Sequence, residues 1–297
     1  MRVSTQALYR GIERRLLTLA DQLNRSEEKV ATGRNMNRPS DNPVGLVSAL
    51  GLRNSLSRLE QYQRNMDMGK IWLDLSSTAI EQAGKVAQQA QAIALNLQDG
   101  TQSAEMRSTL ANEVGLLLDQ AVSLGNTQLA GKYIFAGYNT NTQPFTKTQI
   151  GGSDAVQYNG DGNDFQIQVG PQESLEIGKN GQELFIDSDF FDSLIRLKQA
   201  IENNDPTAIQ QEATRLQGVE DFFNAQVSDI GIRQSRILEK QDILKGLKLN
   251  FQNQIDDLEN ADMTQAILEV QERQNAYEVA LAASSKIMEV SLLDYLR

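Results

Sequence analysis

Residues 31–50 read ATGRNMNRPSDNPVGLVSAL, with two prolines, two glycines and three asparagines set between stretches that otherwise favour helix. Gly33 is placed to end a first helix in the left-handed conformation that glycine adopts at least cost. Pro39 and Pro43 stiffen the path, and each biases the residue before it, Arg38 and Asn42, away from helical φ/ψ. Ser40 or Asp41 is expected to cap a second helix that begins near Pro43, a favoured position early in a helix. The stretch therefore reads as a defined turn between two helices.

The other prolines are Pro144, Pro171 and Pro206, so nothing breaks a helix on steric grounds between Pro43 and Pro144 or beyond Pro206. The hydrophobic periodicity agrees. Before the turn, Leu8, Ile12, Leu16, Leu19, Leu23, Ser26 and Val30 follow a four-three rhythm, an a/d seam interrupted only by Ser26. After it, Leu59, Tyr62, Met66, Gly69, Leu73, Ser76, Ile80, Ala83, Ala87, Ala90, Ala94 and Leu97 continue the rhythm. The alanine-rich end of this seam would let a partner helix come close. A shorter helix carries Met106, Leu110, Val114, Leu117, Ala121 and Leu124.

The strictest pattern lies later: Leu216, Phe223, Ile230, Ile237, Leu244, Phe251 and Leu258 recur every seven residues. Such a run predicts a long helix in a coiled-coil-like bundle. It breaks at ENADM (259–263), with Asp262 a candidate N-cap, and a last helix carries Met263, Ile267, Val270, Tyr277, Leu281, Met288 and Leu292.

Between Gly131 and Phe185 the heptads give way to glycines, asparagines and alternating apolar residues. KYIFAG, AVQYNG, FQIQVG and SLEIG read as short strands ended by glycine turns. The helix SDFFDSLIRLKQAIENN, with Ser188 as N-cap, leads back into the bundle. The expected fold is mainly α: a long antiparallel coiled-coil-like helical bundle with N- and C-terminal helices side by side, plus a small β-rich inserted domain. The expected division is 1–45 with 260–297, 46–131 with 188–259, and the insert at 132–187.

Composition narrows the function. The 297 residues carry a formal net charge of −11, which disfavours a nucleic-acid surface, and aromatics are only 6%, which disfavours a wide aromatic core. Cysteine and histidine are both absent. That removes disulfides, thiolate nucleophiles, the commonest general base and the commonest transition-metal ligands. The run YNGDGNDFQ has the Asp, Asn and Gly that a calcium loop uses. It lacks the closing Glu of an EF-hand, and hairpin turns require the same residues. Neither a cofactor nor catalysis is expected. No apolar run is long enough to span a membrane, and MRVSTQALYRGIERRLLTLADQL lacks the apolar core and cleavage site of a conventional signal peptide.

The turn also carries a resemblance. ATGRNMNRPSDNPVG resembles the turn after the first helix of bacterial flagellins and their axial relatives. Its form with RPSD before NPVG is closest to the flagellar hook-associated protein 3 family. The matching positions are Gly33, Arg34, Asn37, Arg38, Pro39, Ser40, Asp41 and Pro43, and Asn42 stands where that family commonly has a second Asp. Residues 73–96 resemble the family's second helix, GKYIFAGYNTNTQPF with YNGD the start of its β domain, and 277–297 its last helix.

The resemblance implies a structural protein of the bacterial flagellum, its terminal helices forming an axial coiled-coil core. Copies would stack as a ring joining the hook, through the first hook-associated protein, to the filament, and would give flagellin its first template. Leu8, Ile12, Leu16, Leu19 and Leu23, with Tyr277, Leu281, Met288, Leu292 and Leu293, would bury within and between subunits. Relatives leave through the flagellar type III channel with an uncleaved signal and an export chaperone, so an extracellular site is implied without membrane insertion or nucleic acid. A flagellin-type filament subunit and an exported helical tip component of a related apparatus are the alternative readings.

Overall fold

The structure is a computed structural model that describes residues 2–97, 102–150 and 153–295, the side chains of 2–6, 8, 150, 153 and 288–295 lying outside the description. Six helices carry most of it: α1 (Arg2–Thr32), α2 (Pro43–Asn96), α3 (Ala104–Gly125), α4 (Phe190–Glu202), α5 (Pro206–Glu259) and α6 (Met263–Tyr295). Between α3 and α4 lie β1 (Gln128–Leu129), β2 (Lys132–Tyr133), β3 (Phe145–Ile150), β4 (Ser153–Tyr158), β5 (Gln166–Gly170) and β6 (Glu173–Glu176). They pair in chain order as three two-stranded antiparallel sheets. The chain forms two compact units, one from Met1–Arg58 with Gly246–Arg297 and one from Leu59–Lys245, and α2 and α5 contribute to both.

Short polar side chains set the helix starts. The Asp262 carboxylate accepts the N–H groups of Thr264 (2.9 Å) and Gln265 (3.3 Å), and Asp205 does the same for Thr207 and Ala208 ahead of Pro206. Two expected caps are corrected. Because Pro43 is the first helical residue, the capping position is 42, and Asn42 Oδ1 accepts Gly45 N–H at 2.8 Å where Ser40 or Asp41 was expected. Ser188 does not cap α4: a π-helical turn, Gln182–Ile186, precedes that helix, and the Ser188 hydroxyl donates back to Leu184 C=O at 2.6 Å. Asp189 occupies the cap position without a side-chain bond to the helix backbone, its carboxylate meeting Arg196 at 3.4 Å.

In the larger unit the heptad seams are the core. Every seam residue from Tyr62 on α2 to Leu97 just past its end is buried, and so are Leu216, Phe223, Ile230, Ile237 and Leu244 of α5. Within this unit α2 and α5 run antiparallel, fixed by Gln91 with Gln217, Asp74 with Gln234 and Asp67 with Gln241. Trp72, Ala79, Val86 and Ile93 are buried beside the seam, so the covered stripe on α2 is wider than a two-helix coiled coil needs. The extra width lies under other elements: Trp72 stacks on Phe165 at 4.9 Å, and an Ile167 methyl sits where a Cβ on Gly69 would be.

In the insert, β4, β5 and β6 fall where AVQYNG, FQIQVG and SLEIG predicted strands. KYIFAG is strand only at Lys132–Tyr133, after which Ile134, Phe135 and Ala136 enter the core. β3 pairs with β4 from Phe145↔Tyr158 to Ile150↔Ser153, and β5 with β6 through a bulge at Gln168/Gly170. Asp161 accepts N–H groups from Tyr138 and Asn163, and Asp164 accepts Asn180 N–H, so these acids of YNGDGNDFQ hold turns. The low aromatic content conceals a concentration. Phe135, Phe145, Phe185, Phe190, Phe191 and Phe223 form one buried cluster with ring centroids 5.1–6.2 Å apart, drawn from four separate segments.

Candidate assembly surface

In the smaller unit α1 packs against α6, and the turn of residues 33–42 sits beside the joint between α5 and α6. Gly33 has φ +67° and donates its N–H to Lys29 C=O at 2.9 Å, the left-handed helix ending that its position predicted. The backbone then pairs with the joint: Asn35 N–H donates to Glu259 C=O (2.7 Å), Ala261 N–H to Gly33 C=O (2.9 Å), and Arg34 bridges Asn260. Two inter-helix turns, bridged at Arg34 and Asn260, 226 residues apart in sequence, thus satisfy each other's backbone groups.

Asp41 closes the turn from within. Its Oδ2 accepts the N–H groups of Asn37 (3.1 Å) and Arg38 (2.8 Å), and Asp41 N–H donates to Arg38 C=O at 3.0 Å. Arg38 reaches back to Glu28 on α1 at 3.1 Å, and Arg25 lies 4.0 Å from Asp41. Pro39 and Ser40 are exposed at the tip, and Pro43 begins α2. Gly33, Arg34, Asn37, Arg38, Asp41 and Pro43 therefore form one locally bonded structure. Across it, Glu269 of α6 receives Arg273 at 2.7 Å and Lys29 at 3.8 Å, and the Arg273 hydrogen bond, aided by Lys29, holds its carboxyl below the usual value of 4.5. Since Lys29 is near the end of α1 and Glu269 near the start of α6, the two helices run antiparallel.

The seam residues sit differently. Ile12, Leu16, Leu19, Leu23 and Tyr277 are half-buried, and Leu281 is 51% exposed. The side chains of Leu8, Met288, Leu292 and Leu293 lie outside the described residues. Among the described residues of this unit, only Ala49 and Ala266 are fully buried apolar side chains. Leu17, Val44, Val47, Leu249, Met263, Ile267, Leu268 and Val279 are each more than two-fifths exposed. This pair of helices has apolar stripes and too little of its own chain to cover them.

One contact escaped the sequence reading. Arg53 of α2 meets Glu259 at 2.6 Å, and Glu259 is only 9% exposed. A signal existed: Glu259 is the last residue of α5, where the helix dipole disfavours an acid, so a cation partner was to be expected.

The description "bacterial flagellin N-terminal helical region" matches residues 3–140, and "bacterial flagellin C-terminal helical region" matches residues 216–296. The chain belongs to the flagellin-like family. Among curated members, the flagellar hook-associated protein 3 of Escherichia coli is 30% identical over 189 residues, 62% of this chain and 57% of that relative. Its match therefore spans little more than half of the relative's length. Polar flagellin F of Vibrio parahaemolyticus is 26% identical over 129 residues, 43% of this chain and 34% of that one. A solved structure of a candidate flagellar hook-associated protein from Vibrio parahaemolyticus shares the fold, with TM-score 0.67 at 19% identity over 74% of this chain and 100% of its own. The terminal helices and the 33–43 turn lie inside the two matched flagellin-like regions, whereas residues 141–215 lie outside both.

Proposed function

We propose that this chain is a structural protein of the bacterial flagellum that joins the hook, through the first hook-associated protein, to the filament and templates flagellin assembly. The observation that carries this reading is the higher identity to a hook-associated protein 3, 30% over 189 residues, against 25% over a longer 265 residues for flagellin E of Vibrio cholerae. Copies would form a ring, with segments 1–45 and 260–297 supplying its axial coiled-coil core. Ile12, Leu16, Leu19, Leu23, Tyr277 and Leu281, short of cover in the single chain, would complete their burial against neighbouring copies. At about 25 cal/mol per Å2, finishing the burial of several half-covered leucines per contact supplies several kcal/mol, with no covalent link and no catalysis.

Export through the flagellar type III channel without a cleaved signal, with a chaperone on the C-terminal region, fits the same reading and places the protein outside the cell. A flagellin-type filament subunit is the second reading, favoured by the two flagellin descriptions that match the chain's ends. Deleting the gene in its host separates them. Bare hooks with unassembled flagellin in the medium support the junction role, and normal filaments sink it. Hooks that carry no long filament and release no flagellin point to the filament subunit.

A further inference from the structure

One face of the larger unit is left open. On one side of the α2/α5 pair the β5–β6 hairpin is seated, through Asn65 to Gln168 C=O, Lys240 to Glu173 and Arg233 to Glu176. The other side is marked by two cross-helix bonds, Gln241 Nε2 to Asp67 Oδ1 at 2.8 Å and Gln234 Nε2 to Asp74 Oδ1 at 2.7 Å. By helical spacing Ile71 falls between the two aspartates, and Leu238 between the two glutamines. Ile71 is 53% exposed, Leu238 48%, and Met68 beside them 56%. About three turns beyond Asp74 along α2 the same side opens into a depression of about 190 Å3 at Gly84, Phe223 and Val227. Its rim carries two acids, Glu81 and Glu220, and one base, Lys85. Asp67, Asp74 and Glu81 repeat every seven residues beside the apolar stripe, an acidic line interrupted by Lys70 and followed by Lys85.

The charge of the chain is divided to match. Residues 59–245 hold 14 Lys and Arg against 25 Asp and Glu, which is the whole net charge of −11. Residues 2–20 hold four arginines against one acid, Glu13. On the outer face of α1, Arg10, Arg14 and Leu17 share one side by their spacing of four and three, and all are exposed, Leu17 at 64%. A leucine flanked by arginines is the complement of isoleucine and leucine flanked by aspartates. It remains available while the opposite face of α1 packs on α6.

We propose that the open α2/α5 face of the larger unit is a docking groove for the basic outer face of α1 from a second copy. Leu17 covers the Ile71–Leu238 stripe, and Arg10 and Arg14 pair with Asp67 and Asp74. This adds a second contact between copies beyond the proposed axial packing of the terminal arms. Because the groove belongs to the larger unit, it can be tested whether or not the junction role holds.

The test titrates the full-length chain into a fluorescently labelled synthetic peptide of residues 2–20 and follows anisotropy. Ile71→Glu/Leu238→Glu is the disrupting variant; both positions are exposed, and thermal melting verifies that the variant folds. The expected result is saturable binding that falls at least about tenfold in the variant. It should fall by a similar factor when salt rises from about 0.05 to 0.5 M. A peptide carrying Arg10→Glu and Arg14→Glu should not bind wild type and should regain binding to a chain with Asp67→Lys and Asp74→Lys. Equal affinity for wild type and the Ile71/Leu238 variant overturns the proposal by placing the peptide elsewhere, such as on α6. Absence of binding to wild type overturns it outright. Either failure leaves the deletion phenotype to decide the junction role on its own.

Discussion

The two units of this chain use the same helical code to opposite ends. In the larger one, heptad residues of α2 and α5 are sealed under a β insert, α3 and α4, and six phenylalanines lock the centre. In the smaller one, α1 and α6 carry a similar rhythm, yet their leucines stay half-buried and only two alanines are fully covered among the described residues. Pattern alone does not make a core. A heptad seam needs a partner on every side of its stripe, and only the larger unit supplies those partners from its own chain. What the smaller unit has in their place is a web of polar bonds at its turn, which fixes geometry while its apolar area stays partly uncovered.

The comparison breaks most readily at its centre. Phe185→Ala should cost about 3–5 kcal/mol in urea unfolding, because Phe185 is fully buried against Phe135, Phe145 and Phe191. Leu19→Ala in the free chain should cost less, about 1–2 kcal/mol, since its side chain is only partly buried. Equal costs would mean that the smaller unit has a core after all.

Next in size is Arg53→Met, which strands the shielded Glu259 carboxylate and should cost roughly 1–3 kcal/mol. Adding Glu259→Gln should recover part of the loss, and a double-mutant cycle with no coupling would show the pair to be incidental.

The turn itself should respond more weakly. Gly33→Ala must place a Cβ at φ +67° and should cost about 1 kcal/mol. Asn42→Ala, losing the bond to Gly45 N–H, should cost about the same in thermal melts. Asn42→Asp should be neutral or slightly stabilising, because a carboxylate caps as well and favours the helix N-terminus.

The smallest expected effects are the pH responses of two glutamates, one in each unit and opposite in sign. Arg273 and Lys29 hold the Glu269 carboxyl below its ordinary 4.5, so its contribution is complete above that value and is lost as pH falls through the lower folded-state value. Burial raises Glu212 above 4.5, against the pull of Arg215, so its charged form costs stability at neutral pH and that cost fades as pH drops toward 4.5. Glu269→Gln should therefore flatten the acid loss, and Glu212→Gln should stabilise the chain at neutral pH. Unfolding midpoints measured between about pH 3 and pH 7 check both, and equal slopes for wild type and Glu269→Gln would remove Glu269 from the account.

Which parts were readable in advance follows from how local their causes are. The Gly33 helix end, the start of α2 at Pro43, the α5–α6 break and the Asp262 cap depend on backbone preferences of adjacent residues, so the sequence placed them correctly. The cap at Asn42 was missed by one position, because three successive residues, Ser40, Asp41 and Asn42, can all accept an N–H. Only the geometry of Asp41, committed to Asn37 and Arg38, left the role to Asn42. In KYIFAG, alternation suggested a longer strand, but Ile134 and Phe135 had stronger claims on the core than on a ladder.

The sequence by itself determined the helices, their turns, the position of the β insert and the kinship with flagellin-like proteins, because propensity, capping and periodicity act over a few residues at a time. Only the tertiary structure decided that scattered phenylalanines meet in one cluster, that Arg53 answers Glu259, and that residues 33–35 pair with 259–261. It also decided which apolar seams are closed and which stay open. Those outcomes depend on contacts between residues tens to hundreds of positions apart. No local preference encodes such contacts until the whole chain has folded and brought the partners together.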